Sequence, residues 1–332
     1  MRTASHPRGI LLGAQAAVTA LPVCDHYSGV EVRMRKSLLL QAQMLQEFGT
    51  CVFDVTLDCE DGAAVGQEAQ HARLVAQLAN SAQPGCRVAA RVHAVDHSAF
   101  EQDVACIVGE AGERLSHIMV PKVESIDDVL KAERVVDKAS GHHLALHVLI
   151  ESPQAVQQVF DIAAHPRVQS IAFGLMDFVS AHGGAIPASA MGVQGQFTHP
   201  LVVRAKLEIA AACHAHGKVP SHCVVTEFKD EQALQSAAHH ACRELGYLRM
   251  WSIHPAQIRP ILAAFAPQAA EVQEAADIVA AAQDAQWAPI SHHGVLHDRA
   301  SYRYYWQLLE RAHRTGVVLP PQARQWFAQD VA

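Results

Sequence analysis

Several features that would place this chain in a familiar class are missing from it. None of the eight cysteines forms a Cys-x-x-Cys pair, and most fall inside apolar strand or helix patterns. That usage suits a reducing compartment better than a disulfide framework, so the expected location is the cytoplasm. No apolar run is long enough to span a bilayer. Arg2 and Arg8 followed by Ile10 to Ala20 resemble a weak signal peptide. The segment leads straight into Leu21 and Val23, however, which a first strand requires, so it is expected to be retained. There is no basic run, and the formal charge is -7, which argues against nucleic acid and in favour of small molecules. His-Glu-x-x-His, Gly-x-Ser-x-Gly, a phosphate loop and a dinucleotide fingerprint are all absent. Zinc hydrolysis, serine hydrolysis and nucleotide binding by the common motifs are thereby excluded. The pairs His142/His143 and His239/His240 fall at helix ends or loops, where solvated side chains are the default.

What is present is alternation. The chain has 332 residues, half of them hydrophobic, enough for one large α/β domain with an appendage. Apolar runs of strand length alternate with amphipathic stretches of helix length. They are Ala17 to Cys24, Cys51 to Cys59, Arg87 to His93, His117 to Val123, Leu144 to Glu151, Ser170 to Asp177, Lys218 to Val225 and Arg249 to His254. Such a series predicts parallel strands with helices outside, and its number closes a (β/α)8 TIM barrel. The connections agree. Met34 to Phe48 carries one apolar face and stops at Gly49, Ser125 with Asp128 forms a capping box, and Val202 to His216 closes at Gly217. Ser180 to His199 reads as a long functional loop. The barrel is expected over 1–265 and a C-terminal helical extension over 266–332. The extension would hold helices Gln268 to Gln286 and Arg299 to Thr315, joined by the loop Trp287 to His297. Tyr302, Tyr304, Tyr305 and Trp306 there are read as an exposed aromatic series able to meet a partner.

The organising unit is His147 to Phe178, a strand, helix, strand repeat with an acid closing each strand. Glu151 and Asp177 would lie at strand C-termini, the edge where ligands sit in α/β folds. Ser152 and Pro153 supply an N-cap and first helical residue, which places free N–H groups beside Glu151. Two carboxylates without softer ligands favour a hard cation such as Mg²⁺. The other strand ends bring Asp58, Glu60, Asp61, Arg91, His93, Lys122 and His254 to the same rim. Arg91 suits a carboxylate or a developing enolate oxygen, or else a structural salt bridge to Glu60 or Asp61. Lys122 invites a Schiff-base reading, but acidic neighbours would keep it charged, so ion pairing is the expected role.

Taken together, Leu-Asp-Cys-Glu-Asp-Gly (57–62), Arg-Val-His (91–93), Val-Pro-Lys-Val (120–123), Leu-Ile-Glu-Ser-Pro (149–153), Phe-Gly-Leu-Met-Asp (173–177) and Ser-Ile-His-Pro-Ala-Gln (252–257) resemble the HpcH/HpaI aldolase superfamily. Within it the resemblance is to the citrate lyase beta-subunit and malyl-CoA lyase branch. The resemblance implies Mg²⁺ on Glu151 and Asp177, Arg91 on the reacting carbonyl oxygens, and Glu60 and Asp61 in support. It also implies that Asp298, in Gly-Val-Leu-His-Asp, enters a neighbouring subunit's site as the acid or base, in a homo-oligomer (trimer or hexamer). His93 and Ala181 depart from the common pattern. The expected activity is Mg²⁺-dependent cleavage of a 3-hydroxyacyl thioester into a 2-oxo acid and an acyl thioester, carried by CoA or an acyl carrier protein. The alternatives are a metal-dependent aldolase acting on free 2-oxo acids, or a non-catalytic acyl-thioester-binding subunit.

Overall fold

The computed structural model describes residues 6–13, 16, 20–141 and 143–328. Its contacts define two compact units, Pro22–Ala264 on one hand and Met1–Leu21 with Phe265–Ala332 on the other. The expected division left the N-terminal segment with the barrel; the contacts group it with the C-terminal helices.

The larger unit is a closed parallel barrel in which strands β1 to β8 pair in sequence order. They are β1 (Cys24–Ser28), β2 (Phe53–Asp58), β3 (Val88–Arg91), β4 (Leu115–Val120), β5 (Ala145–Ile150), β6 (Val168–Phe173), β7 (Val219–His222) and β8 (Arg249–Ser252). Closure comes from β8 on β1, with Cys24 opposite Met250 and His26 opposite Ser252. Helix stops fall where glycine permits them: Gly49 and Gly141 both take the left-handed conformation after their helices. The Ser125/Asp128 capping box is present.

Two strands differ from expectation. The first was placed at Ala17 to Cys24, but it runs over Cys24–Ser28; Ala17 to Thr19, like His142, lie outside the described residues. Its sequence, Cys-Asp-His-Tyr-Ser, is polar yet wholly buried, so hydropathy hides it. The charge of Asp25 and the imidazole of His26 are tolerated because both side chains are partnered. Asp25 accepts from Thr56 Oγ1 at 2.7 Å and pairs with Arg249 at 2.9 Å, while His26 meets Ser252 Oγ and Ser37 Oγ, each at 3.0 Å. The sixth strand ends at Phe173, and a short helix, Leu175–Ser180, follows.

Inside the barrel the side chains form levels. Asp25, Asp54, His117, His147 and Arg249 occupy the N-terminal half of the strands. Above them Tyr27, Met119, Leu149, Ala172 and Trp251 pack as an apolar layer. The C-terminal strand ends lie beyond that layer. The stretch Ser180 to His199 is less open than expected, since it holds a 3-10 turn, Ala188–Met191, and a helical turn, Gly195–Thr198.

In the smaller unit, helices Pro7–Leu12, Ala269–Asp284, Arg299–Arg314 and Pro321–Phe327 share one core. Tyr302 and Trp306 are fully buried in it, which corrects the reading of an exposed aromatic series. They stand four residues apart, on one helix face, and Tyr304 is left on the other at 56% exposure. Trp287 to His297 is also more ordered than a loop. Its residues Ile290–His292 (β9) and Val295–His297 (β10) pair antiparallel, across His293 and Gly294, both at positive φ, the requirement of a tight hairpin turn. No helix among the described residues is long and apolar enough to cross a membrane.

Candidate active site

The end of β2 sets the geometry. Asp58, its last residue, accepts hydrogen bonds from the backbone N–H groups of Glu60 at 2.9 Å and Gly62 at 2.8 Å, so the chain turns around its carboxylate. A Cβ at Gly62 would run into that carboxylate, which makes glycine necessary there. The same carboxylate receives Arg91 from the end of β3, Nε to Oδ1 at 2.7 Å and Nη2 to Oδ2 at 2.6 Å. This is a two-pronged, charge-assisted fork. Nη1 lies 2.9 Å from Glu60 Oε2, and the guanidinium carbon sits 5.5 Å from the Tyr27 ring and 5.9 Å from Trp251. Burial opposes the charge on Arg91, but Asp58 and Glu60 more than offset it and raise its pKa further. Arg91 is therefore salt-bridged, to Glu60 as one expectation had it and to Asp58, and it lines the cavity at the barrel mouth.

Lys122 follows β4 with φ at 51°, a left-handed conformation that costs a non-glycine residue about 1–2 kcal/mol. In that pose its backbone N–H donates to Glu151 Oε1 at 2.8 Å, while its ammonium pairs with Glu60 and lies 3.6 Å from Asp61 Oδ1. Partial burial would lower its pKa, but Glu60 and then Asp61 lift it to about 12. It is a charged ion-pair partner, as expected, and a poor Schiff-base nucleophile.

Glu151 follows β5 directly and is 5% exposed. Ser152 caps the next helix by accepting from Ala155 N at 3.0 Å, and Pro153 opens it. Asp177 is not at a strand end as expected, but in the first turn of Leu175–Ser180. Gly174 stands between strand and helix, and a Cβ there would collide with the Glu151 side chain, so glycine is required at that position. Burial, and next the charge of Asp177, push the Glu151 carboxyl up to about 8. A carboxyl held back from ionising by burial and by a second acid fits a cation between the two. A second cluster, Asp25, His117 and His147, offers ligand atoms within 4.8 Å of one another. There Arg249 already compensates Asp25 at 2.9 Å, which leaves less reason for a metal.

The cavity measures about 820 Å³, and Tyr27, Asp58, Asp61, Arg91, Asp177 and Trp251 are among its walls, with Arg33 and Lys36 also lining it. Asp298 belongs to the smaller unit. It is exposed and caps helix Arg299–Arg314, accepting from Ala300 N at 3.0 Å.

The HpcH/HpaI aldolase/citrate lyase family model matches residues 37–255. The chain belongs to that family. It is 29% identical over 246 residues to the L-malyl-CoA/beta-methylmalyl-CoA lyase of Cereibacter sphaeroides, spanning 68% of this chain and 76% of the relative. Among solved structures, a citrate lyase from Burkholderia xenovorans is 48% identical, covers 98% of this chain and 100% of its own, and superposes with a TM-score of 0.79. The CitE protein of Mycobacterium tuberculosis, solved with magnesium, acetoacetate and coenzyme A, is 21% identical with a TM-score of 0.66 over 88% of this chain and 98% of its own; that likeness shows the shared barrel.

Sequence reasoning brought Arg91, Glu60, Asp61, Lys122, Glu151 and Asp177 to one rim; direct contacts link the first five, and Asp177 lines the cavity with Arg91 and Asp61. It passed over Asp58 as the residue that orients Arg91, although Asp58 and Arg91 stand opposite each other in the β2–β3 register. Tyr27 was missed along with its strand. Trp251 was legible in principle, since it alternates with Met250 and Ser252 and so shares the inward face with Arg249.

Proposed function

We propose that this carbon–carbon lyase cleaves a 3-hydroxyacyl thioester of the citryl or malyl type into a 2-oxo acid and an acyl thioester. The observation that carries the reading is a pair of mutually repelling acids, Glu151 and Asp177, at the same barrel mouth as a guanidinium locked in place by Asp58. Cleavage leaves an electron pair on the acyl carbon, delocalised onto its thioester oxygen as an enolate, so the site must hold negative charge. Glu151 and Asp177 would hold Mg²⁺, which when bound supplies Lewis-acid stabilisation of that charge. Arg91 adds its own. A guanidinium has five N–H donors, of which Asp58 takes two and Glu60 faces a third, so two remain for a substrate oxygen. Because the fork is fixed before substrate arrives, no reorganisation is needed as charge develops. Lys122 keeps Glu151 oriented through its backbone and neutralises Glu60 and Asp61 through its ammonium. Asp298 moves the proton at the acyl carbon, in the cavity of a neighbouring subunit. A homo-oligomer, trimer or hexamer, follows from that role.

Calorimetry with Mg²⁺ and glyoxylate, oxaloacetate or pyruvate, each with and without acetyl-CoA, tests the reading. Oxo-acid binding that requires Mg²⁺ and tightens with acetyl-CoA is expected. Indifference to acetyl-CoA would point to an aldolase of free oxo acids, and loss of all metal dependence would point to a binding subunit without lyase chemistry. Mixing Glu151→Ala with Asp298→Ala protein tests sharing: activity should return on subunit exchange, and a mixture that exchanges but stays inactive refutes the shared site.

A further inference from the structure

Behind the cavity wall, helix Pro200–Ala215 carries Lys206 into a position with no exposed surface. Its Nζ donates to Gln196 Oε1 at 2.8 Å and lies 4.1 Å from the centre of the Phe197 ring. Cys223, immediately after β7 and 1% exposed, donates its thiol to the same Gln196 oxygen at 3.4 Å. The second polar atom of Gln196, Nε2, is buried without a partner. Cys223 is at the same time one of the residues that line the large cavity.

A buried lysine normally answers to a carboxylate. Here the groups that face it are Gln196, Phe197, Cys223 and, from the same strand end, His222, whose imidazole burial keeps neutral. The thiol is the one proton donor in that set that can supply a counter-charge. Burial lowers Lys206 to about 8 and raises Cys223, and within the pair each stabilises the other's charged form. Sharing a single acceptor oxygen keeps sulfur and nitrogen adjacent, which is the arrangement a bond between them requires.

We propose that Lys206 and Cys223 form an oxidant-responsive covalent site, in which a peroxide converts the pair into a sulfur–nitrogen cross-link. With the proton on Lys206, the Cys223 thiolate attacks one peroxide oxygen and gives a sulfenic acid and hydroxide. Hydroxide takes a proton from the Lys206 ammonium and leaves as water. The freed amine attacks the sulfenic sulfur, and a second water departs. In sum, one thiol, one amine and one hydrogen peroxide give a sulfenamide and two waters; sulfur is oxidised and peroxide reduced. Two equivalents of an external thiol reverse the link and leave as a disulfide. The bond would fasten helix Pro200–Ala215 to the strand end beneath the cavity, whichever thioester the enzyme cleaves.

The full-length protein is treated with stoichiometric hydrogen peroxide and analysed by intact mass and by peptide mapping without reductant. The expected product is lighter by about 2 Da, carries a peptide joining Lys206 to Cys223, resists trypsin after Lys206, and reverts with dithiothreitol. Cys223→Ser and Lys206→Met should each abolish that linked peptide. Should either variant fail to fold, the wild-type map decides alone. Cys223 recovered unreacted, carrying added oxygen while Lys206 remains cleavable, or joined to another cysteine, would overturn the proposal.

Discussion

Two guanidinium–carboxylate assemblies occupy the same barrel at different heights, and they differ in what surrounds them. At the strand C-termini Arg91 meets Asp58 and Glu60 and borders the cavity. In the N-terminal half Arg249 meets Asp25 at 2.9 Å and Asp54 at 2.5 Å, all three almost wholly buried. The apolar layer of Tyr27, Met119, Leu149, Ala172 and Trp251 lies between the levels. The upper arginine grips its acid with two nitrogens in a fork. The lower one makes both contacts through Nη2, while its Nε and Nη1 lack partners. Like chemistry thus faces a cavity at one level and is sealed internal structure at the other.

The largest test of that contrast removes each arginine. Arg249→Met strands buried Asp25, while Asp54 keeps Arg87 at 2.7 Å, so stability in urea denaturation should fall by about 3–5 kcal/mol. Arg91→Met leaves its acids beside a cavity that water can enter, so it should cost clearly less stability while turnover falls about 10²–10³-fold. Equal stability losses would erase the distinction between the two levels.

The contrast also explains how far the sequence could be read. Strands that are mostly apolar along their length, such as Leu-His-Val-Leu-Ile in β5, stand out by hydropathy, and acids at their ends mark the rim. The barrel and the union of Glu60, Arg91, Lys122 and Glu151 follow from that. β1 does not stand out, because its inward Asp25 and Tyr27 and its outward His26 are matched by residues far away in sequence, Arg249, Trp251 and Ser252. Partnership of that kind is invisible until the strands are assembled. Asp177 was displaced from its expected strand end because the apolar run to Met176 continues past Phe173 as the helix Leu175–Ser180, and an apolar run does not by itself tell strand from helix. The hairpin at Ile290–His297 was hidden by a turn made from His293 and Gly294 instead of the commoner Asn-Gly.

A smaller effect is expected at the metal acids. Glu151 and Asp177 repel each other, whereas Asp25 and Asp54 have Arg249 between them, so an added cation should stabilise the upper level alone. With Mg²⁺ at one hundred times its Kd the wild-type protein should gain about 2.7 kcal/mol, seen as a rise in Tm. Glu151→Gln should remove that gain, while its metal-free Tm at neutral pH stays close to the wild-type value, because burial and Asp177 already keep most of the Glu151 carboxyl protonated there. A magnesium-dependent rise that survives Glu151→Gln but disappears in Asp25→Asn would move the cation to the lower level.

The smallest expected effect belongs to the lower level and reads out with acid. Burial, and then the charge of Arg249, hold His147 down at about 3. The unfolded chain, with histidine near 6.5, therefore takes up a proton that the folded chain refuses. The stability from neutral His147 is complete above that unfolded value and is lost as pH falls from it toward about 3. Between pH 7 and pH 6 the loss is roughly 0.7 kcal/mol. Asp25, pushed up to about 6 by burial, and Glu151, pushed up to about 8, act in the opposite direction over this range, so wild-type stability alone would blur the result. Comparing wild type with His147→Gln at each pH removes those shared contributions. The stability difference between the two proteins should shift by that amount in favour of the variant on going from pH 7 to pH 6. A difference that stays constant with pH would mean that His147 is protonated alike in the folded and unfolded chain, and that the lower level is less sealed than its burial implies.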